Sequence, residues 1–552
     1  MVKKFFHQSK NLLNRQNNSI LSAATIIAAS YLGSAILGLI RNRLLASHFF
    51  GGLEADLDVY FAAFVIPDTI FQLLVVGALS AAFIPIYQDY ARQSKKKANR
   101  LANAALTSLG LILSIIILAI IIFAQPLASL ISHFPPHQLQ LMANLIRLMS
   151  VAQLFFAVSA FLTGVLQARK RFLIPAVAPI FYNLGTIFGI LTLSSSLGIY
   201  SAAIGVVFGA FLHMLVQLPF TKNLGFSPRF YFRPRHSGVK QLFRLMPPRT
   251  AALGLSQIER WVAVNLTSLL AAGSLSIFNF ARQLYTLPIS LFGVSLGQAS
   301  FPVLSSSVHH PDKKKQFTHI LSQSVLQIFY LALPASVLIL ILRIPLVRLA
   351  FGASNFPWQA TLLTGKALAF LAISIAPQAV NQLLTRSFHA LKDTRTPLKV
   401  SLLTIIFFVT SAFITSKTLN LGVIGITLSL SLSNLLNFFF LYLLLKKRLP
   451  SLCLFRPIFQ MILVTFLMTI SLWLPFRFFD QFVFDTTRTL PLILLTIIVS
   501  SMGLAVYLFF SFLLKIPQLQ QFLQLISRLG NWRHVLVQSD EVISPTLDDD
   551  LS

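Results

Sequence analysis

The Lys and Arg residues of this chain fall on every second connection between its hydrophobic runs. They gather at Lys3, Lys4, Lys10 and Arg15, then at Arg92, Lys95, Lys96, Lys97 and Arg100, and then at Arg169, Lys170 and Arg171. The stretch from Lys222 to Arg249 is basic throughout, and further groups follow at Lys313, Lys314 and Lys315, at Arg386, Lys392, Arg395 and Lys399, and at Lys446, Lys447, Arg448 and Arg456. Lys515, Arg528 and Arg533 close the series, and the connections between these groups hold few of the 44 basic residues. Cytoplasmic loops retain Lys and Arg because translocating them is costly, so the alternation fixes both span number and orientation. It predicts an even number of spans with both termini in the cytoplasm.

A chain that is 56% hydrophobic and 11% charged cannot fold as an ordinary soluble globule of 552 residues. A net charge of +29 would suggest nucleic acid in a soluble protein. Here the basic residues lie beside membrane spans, where anionic headgroups hold them, so no nucleic-acid partner is expected. The single cysteine, Cys453, allows no intramolecular disulfide and gives no metal cluster. The apolar run from about Ile20 is too long for a signal-peptide core and reads as an uncleaved first helix.

Crossing the hydrocarbon core takes about 20 apolar residues, and the chain offers about fourteen such runs. The organisation expected is a cytoplasmic segment 1–19, a first set of six spans in 20–221 and a basic cytoplasmic linker 222–249. A second set of six spans in 250–445, two further spans in 446–515 and a cytoplasmic tail 516–552 follow. Pro67, Pro179, Pro288, Pro334 and Pro377 fall inside spans. Each frees a backbone carbonyl that lipid cannot satisfy, so neighbouring helices or a wet cavity must do so. The two sets also resemble each other. Ala168 and Lys170 precede Pro175 at the spacing with which Ala390 and Lys392 precede Pro397, and Leu197-Gly198 and Leu421-Gly422 open the next span in each. A repeat of six spans is parallel, because six crossings return the chain to the same side.

Polar residues recur at helical spacing in two spans: Asn279, Arg282, Gln283, Thr286 and Ser290 in one, and Ser374, Gln378, Asn381, Gln382 and Thr385 in another. Offsets of three, four and seven place each set on one helix face. Interhelical hydrogen bonding accounts for isolated cases, but stripes of this length, one with an Arg, point to a hydrated cavity. Arg41, Arg147, Arg260 and Arg282 also lie within spans. An intramembrane Arg must face water, a partner or a ligand. Arg41 and Arg147 can also be satisfied by snorkelling to the outer headgroups. Guanidinium forks suit bidentate phosphate recognition, so a phosphate-bearing substrate is the natural ligand. Only Asp68 and Glu259 are acids inside spans, with Asp58 at an edge. Glu259 adjoins Arg260, but sequence neighbours point to different helix faces, so that pair is not expected to form. No metalloprotease helix, phosphate-binding glycine loop or nucleophile elbow occurs, and His133 and His213 read as surface or packing residues. Neither enzyme chemistry nor a cofactor is indicated.

VYFAAFVIPD (59–68) followed by GALSAAFIP (77–85), RFLIPAVAP (171–179) with Asn183, LPISLFGVSLG (287–297) and KDTRTP (392–397) resemble the MurJ/MviN lipid II flippases. These belong to the multidrug/oligosaccharidyl-lipid/polysaccharide exporter superfamily, and the resemblance covers roughly residues 20 to 515. It implies an all-α polytopic membrane protein with two six-helix lobes in a V around a central cavity, plus two C-terminal helices bordering a groove. It also implies alternating-access transfer of a polyprenyl-diphosphate-linked peptidoglycan precursor from the inner to the outer leaflet of the bacterial cytoplasmic membrane. The family's first-span arginine falls on Arg41 and its acid before the second span on Asp58. Other family arginines fall on Ala35, Phe71, Gln72 and Gln283, while Arg282 lies one place from the last of these.

The substrate-binding residues expected are therefore Arg41, Arg260, Arg282, Asn279, Gln283, Asp58, Gln378 and Asn381, with no catalytic and no metal-binding residue. Expected partners are the lipid-linked precursor, membrane lipids and the cell-wall synthesis machinery. Export of another lipid-linked oligosaccharide or amphipathic molecule, and a non-transporting envelope scaffold, are the rival functions.

Overall fold

The computed structural model describes residues 20–77, 83–169, 171–307, 313–352 and 355–523, and every regular element among them is helical. The segment 1–19, Lys170, residues 78–82 of GALSAAFIP and the tail from 524 to Asp548, Asp549 and Asp550 lie outside the described residues. Among the described residues eleven helices are long and apolar enough to cross a bilayer: α2 (Glu54–Val76), α3 (Lys95–Ile122), α4 (Pro136–Ala168), α5 (Leu173–Leu197), α6 (Tyr200–Asn223), α8 (Ser274–Ser305), α9 (Lys314–Ile341), α11 (Arg395–Thr418), α12 (Gly422–Arg448), α13 (Phe455–Val483) and α14 (Thr489–Leu513). The pair Trp358–Ala372 and Ile375–Ala390, bent by 47°, makes a twelfth as α10. The other two expected spans fall on long helices, α1 (Ile20–Phe49) and α7 (Ser237–Thr267).

Proline explains where several of these helices break. A proline at position i cannot donate to the carbonyl at i−4 and crowds it. Pro67 accordingly sits four residues after Ala63, where the first segment of α2 ends. Pro126 lies four after Ile122, where α3 stops before the short helix Ala124–Ile131. Pro377 lies four after Ile373, at the bend in α10. Pro288 and Pro475 precede π-helical turns at Ile289–Val294 and Phe479–Val483. Pro179 and Pro334 lie inside continuous helices.

The repeat is visible in the turns. Before α5, the Arg171 N–H donates to Leu166 O at 2.9 Å, and before α11 the Asp393 N–H donates to Phe388 O, also at 2.9 Å. Gly198 (φ 52°) and Gly422 (φ 54°) then occupy matching left-handed positions before the next helix, a conformation that favours glycine. In the second copy Asp393 accepts from the Arg395 and Thr396 N–H groups and from the Thr396 hydroxyl, and it pairs with Arg448 at the end of α12. The Thr396 hydroxyl and N–H, followed by Arg448, hold its carboxyl down to about 2. The KDTRTP motif is thus a helix cap that ties α11 to α12.

Helices α5 and α6 touch backbone to backbone: a Cβ on Gly189 would lie 2.6 Å from Gly205 Cα. Gly185-xxx-Gly189 faces Gly205-xxx-Gly209, the small-residue spacing that lets membrane helices approach closely. The basic linker runs along α3, pinned by residues one turn apart. Asn99 donates to Gly225 O, Asn103 accepts from the Arg229 N–H and the Thr107 hydroxyl accepts from the Tyr231 N–H. Helices α13 and α14 join the second half through α9, where the Tyr507 hydroxyl donates to Tyr330 O at 2.9 Å.

Candidate functional site

Glu259 and Arg260 stand side by side on α7, about 100° apart around the helix axis, and each finds a partner on a different neighbour. Arg260 Nη1 lies 2.6 Å from Asp68 Oδ2 on α2, and Arg282 Nη2 on α8 lies 3.1 Å from Glu259 Oε1. Helix α7 therefore bridges the two halves through Asp68 and Glu259. The side chains of the Arg260–Asp68 pair keep 32% and 18% of their surface exposed, and those of Arg282 and Glu259 26% and 25%. Such pairs are neutralised but still reach open space. One position along each helix, Trp261 Nε1 donates to the Thr69 hydroxyl at 3.0 Å. Beyond this contact an apolar cavity of about 530 Å³ is lined by Leu73, Leu130, Ile258 and Phe413.

Arg41 completes the charge of the site. Its Nη1 donates to Asn183 Oδ1 at 3.2 Å and its Nε to Asn42 Oδ1 at 3.2 Å, with the guanidinium 5.9 Å from the Tyr182 ring centre. Asn183 is oriented by donating to Ser34 O and its hydroxyl, and the Asn42 amide donates to Gln283 Oε1 on α8. Among the described residues no carboxylate pairs with Arg41. Three arginines against two carboxylates leave one positive charge, centred on α1.

The α8 stripe keeps the geometry expected of it. Asn279, Arg282, Gln283, Thr286 and Ser290 are half-buried, while Leu284 and Ile289 between them are 7% and 6% exposed. Cysteines at Asn279, Gln283 and Thr286 should react with water-soluble thiol reagents, and cysteines at Leu284 and Ile289 should stay protected. Uniform protection along the stripe would mean plain helix packing.

Two expectations are corrected. Two residues of the α10 stripe, Ser374 and Asn381, are spent on interhelical hydrogen bonds. Ser374 is fully buried, its hydroxyl 3.2 Å from the Tyr285 hydroxyl and 3.1 Å from that of Ser431. Asn381, 4% exposed, donates to Asn434 O and to Gln378 Oε1. Only Gln378, Gln382 and Thr385 of that stripe remain half-buried. Asp58 does not line the open site either. It is 2% exposed and accepts from the Gly273 N–H (2.8 Å), the Ser276 N–H (2.7 Å) and the Ser276 hydroxyl (2.6 Å). It thus caps the N-terminus of α8, where unpaired N–H groups and the helix dipole favour an anion. This cap clasps the first half to the second at the end remote from the basic loops. Arg43, donating to Leu349 O, and Asn355, donating to Ser47 O, add to the same closure.

Arg147 takes the Ile121 carbonyl at the broken end of α3 and Asn144, a packing role. His213 is held by the Ser159 hydroxyl at 2.6 Å inside the first half, as expected of a packing residue. The sequence did not single out Asn42, or Asp68 and Glu259 as the arginines' partners. The balance of acids against arginines within spans was the signal for the last two.

A many-span helical bundle with a half-open polar site between its halves, closed at one end, defines a polytopic membrane transporter. The family profile described as lipid II flippase MurJ matches residues 45–495. A probable lipid II flippase MurJ of Thermotoga maritima is 30% identical over 493 residues, covering 89% of this chain and 96% of that protein. The lipid II flippase MurJ of Burkholderia cenocepacia is 28% identical over 440 residues, 78% of this chain and 84% of its own. The chain belongs to the MurJ lipid II flippase family. Its fold superposes on a solved MurJ in an inward closed conformation with a TM-score of 0.74 at 24% identity, covering 88% of this chain and 98% of that one. It also superposes on an inward-facing multidrug-resistance MATE transporter with a TM-score of 0.64 at 14% identity, over 78% and 98% of the two chains.

Proposed function

We propose that this protein moves lipid II, the polyprenyl-diphosphate-linked peptidoglycan precursor, across the bacterial cytoplasmic membrane, with the basic loops and both termini in the cytoplasm. The observation that carries the proposal is a half-open site of three arginines inside a bundle whose family profile spans most of the chain. The headgroup enters from the basic-loop side and its diphosphate binds Arg41 most readily, because that guanidinium has only neutral partners. Arg260 and Arg282 hold charge in reserve against Asp68 and Glu259, and Asn279, Gln283 and Gln378 offer hydrogen bonds beside them. The two halves, expected as lobes 20–221 and 250–445, then rock apart at the far end. That motion must release the Asp58 cap on α8 and the Arg43 and Asn355 contacts. No bond in the substrate is made or broken, so the protein needs neither catalytic residue nor cofactor.

In cells where this chain is the sole source of the activity, an impermeant reagent should label lipid II in the outer leaflet, and depletion of the chain should abolish the labelling. Persistent labelling after depletion would refute the assignment. Orientation has its own test. Cysteines replacing Lys95, Lys314 and Lys392, and the native Cys453, should be shielded from an impermeant reagent in intact cells. Those at Glu54, Ala272, Lys417 and Asp485 should react, and reaction at two or more of the basic positions would reverse the topology.

A further inference from the structure

We propose that the face opposite the basic loops carries a second anion site, which takes the phosphate group of a membrane lipid. A polar cavity of about 320 Å³ lies there between the short helix Arg343–Phe351, the start of α10 and the start of α14. Arg348 projects into it, half-buried, with its guanidinium 5.9 Å from the Trp358 ring centre and Nη2 3.4 Å from Thr487 O. Arg488 stands at the N-cap of α14 with no side-chain cap on the helix, so the free N–H groups of the first turn add their partial positive charge. Asp485 lies 3.5 Å from Arg488 and offsets part of this charge, but its carboxylate is also engaged by the Thr487 N–H and hydroxyl. The balance remains positive.

The placement runs against the rule that otherwise governs this chain. Basic residues are kept off this face, yet Arg348 and Arg488 converge on one cavity, and Arg43 donates to Leu349 O in its wall. Arginines placed against that bias call for a ligand or a partner. The guanidinium fork and the threonine hydroxyls suit phosphate oxygens. Trp358 is 55% exposed and Leu490 69%. An exposed amphipathic ring in the wall of the cavity is the pattern of the headgroup level, so the chain of the ligand runs into the bilayer while its phosphate sits in the cavity.

The site is separate from the arginines at α7 and α8, and its test needs no transport, so its failure would leave the proposed function standing. The readout is Trp358 fluorescence of the full-length purified protein, assigned by W358F. Farnesyl diphosphate and a short-chain phosphatidylglycerol are the lipid probes, and the tighter of the two identifies the source. Farnesol should give no signal, and inorganic pyrophosphate should bind at least about tenfold more weakly than the better lipid. The R348Q/R488Q double variant should weaken lipid binding by about tenfold or more, the equivalent of about one charge-assisted hydrogen bond. A signal that W358F leaves in place, or one unchanged in R348Q/R488Q, overturns the site. Pyrophosphate binding as tightly as either lipid overturns the lipid assignment.

Discussion

Arg41→Ala should weaken binding of a polyprenyl diphosphate by roughly ten- to a hundredfold, more than the loss of either other arginine in the site. All three guanidiniums lie within reach of the open space, but their charges are not equally available. Arg260 and Arg282 already face carboxylates at 2.6 and 3.1 Å, so an arriving diphosphate must compete with Asp68 and Glu259 for them. Arg41 faces only the amide oxygens of Asn42 and Asn183 and the Tyr182 ring. Its removal strands no opposite charge, and Asn183 keeps its bonds to Ser34, so the variant should fold. Arg41→Lys should recover only part of the affinity, because a point charge cannot span two acceptors as the planar fork does. The same reasoning gives a change of opposite sign: Asp68→Asn should tighten binding by freeing Arg260. Titration of a short-chain prenyl diphosphate into the purified variants measures both effects. Equal affinity in Arg41→Ala and the unmodified protein would remove the diphosphate from this site.

Local signals in the sequence foretold much of this. Among the described residues the apolar runs fall on helices, eleven or twelve of them long and apolar enough to cross a bilayer, and the offsets of the α8 stripe put its polar residues on the one face left half-buried. The turns before Pro175 and Pro397, read as a repeat from spacing alone, share the same five-residue-back hydrogen bond. Partnerships between helices were not legible in this way. Nothing in the order of residues says that Arg260 turns to α2 while Glu259 turns to α8, because both choices depend on how α7 lies between its neighbours. The α10 stripe has the same periodicity as that of α8, yet its Ser374 and Asn381 turn to Tyr285 and α12 and are spent on packing. Periodicity identifies a face but not what the face meets. Asp58 is expected in the cavity because the family's acid before the second span falls on it, and it is a cap because Gly273, at φ 86°, turns the start of α8 towards it. Gly185, Gly189, Gly205 and Gly209 are a different case, since their four-residue spacing was there to be read.

Breaking the Asp68–Arg260 pair from one side should be the most damaging single change to stability in the site. Arg260→Ala leaves the Asp68 carboxylate in the bundle without its cation. One-sided loss of a fully buried pair costs about 3–5 kcal/mol. Arg260 is about a third exposed and Asp68 18%, so solvent screening reduces the expected cost to about 1–3 kcal/mol. Neutralising both partners, in Asp68→Asn with Arg260→Gln, removes the stranded charge and should restore most of the thermal stability. The coupling energy from the four proteins of this cycle should then be about 0.5–3 kcal/mol. Transport should not recover with it. The pair joins α2 in the first half to α7 in the second, across the seam that must open and close on each cycle. A neutral pair holds that seam without offering a cation to the diphosphate as it parts. The double variant should therefore melt near the unmodified protein and still move lipid II at least about tenfold more slowly, a loss of about 1.4 kcal/mol. Outer-leaflet labelling of lipid II, measured beside the melting temperature, separates the two roles. Full transport in the double variant would make the pair a structural clamp and leave the reserve-charge mechanism with Arg41 and Arg282 alone.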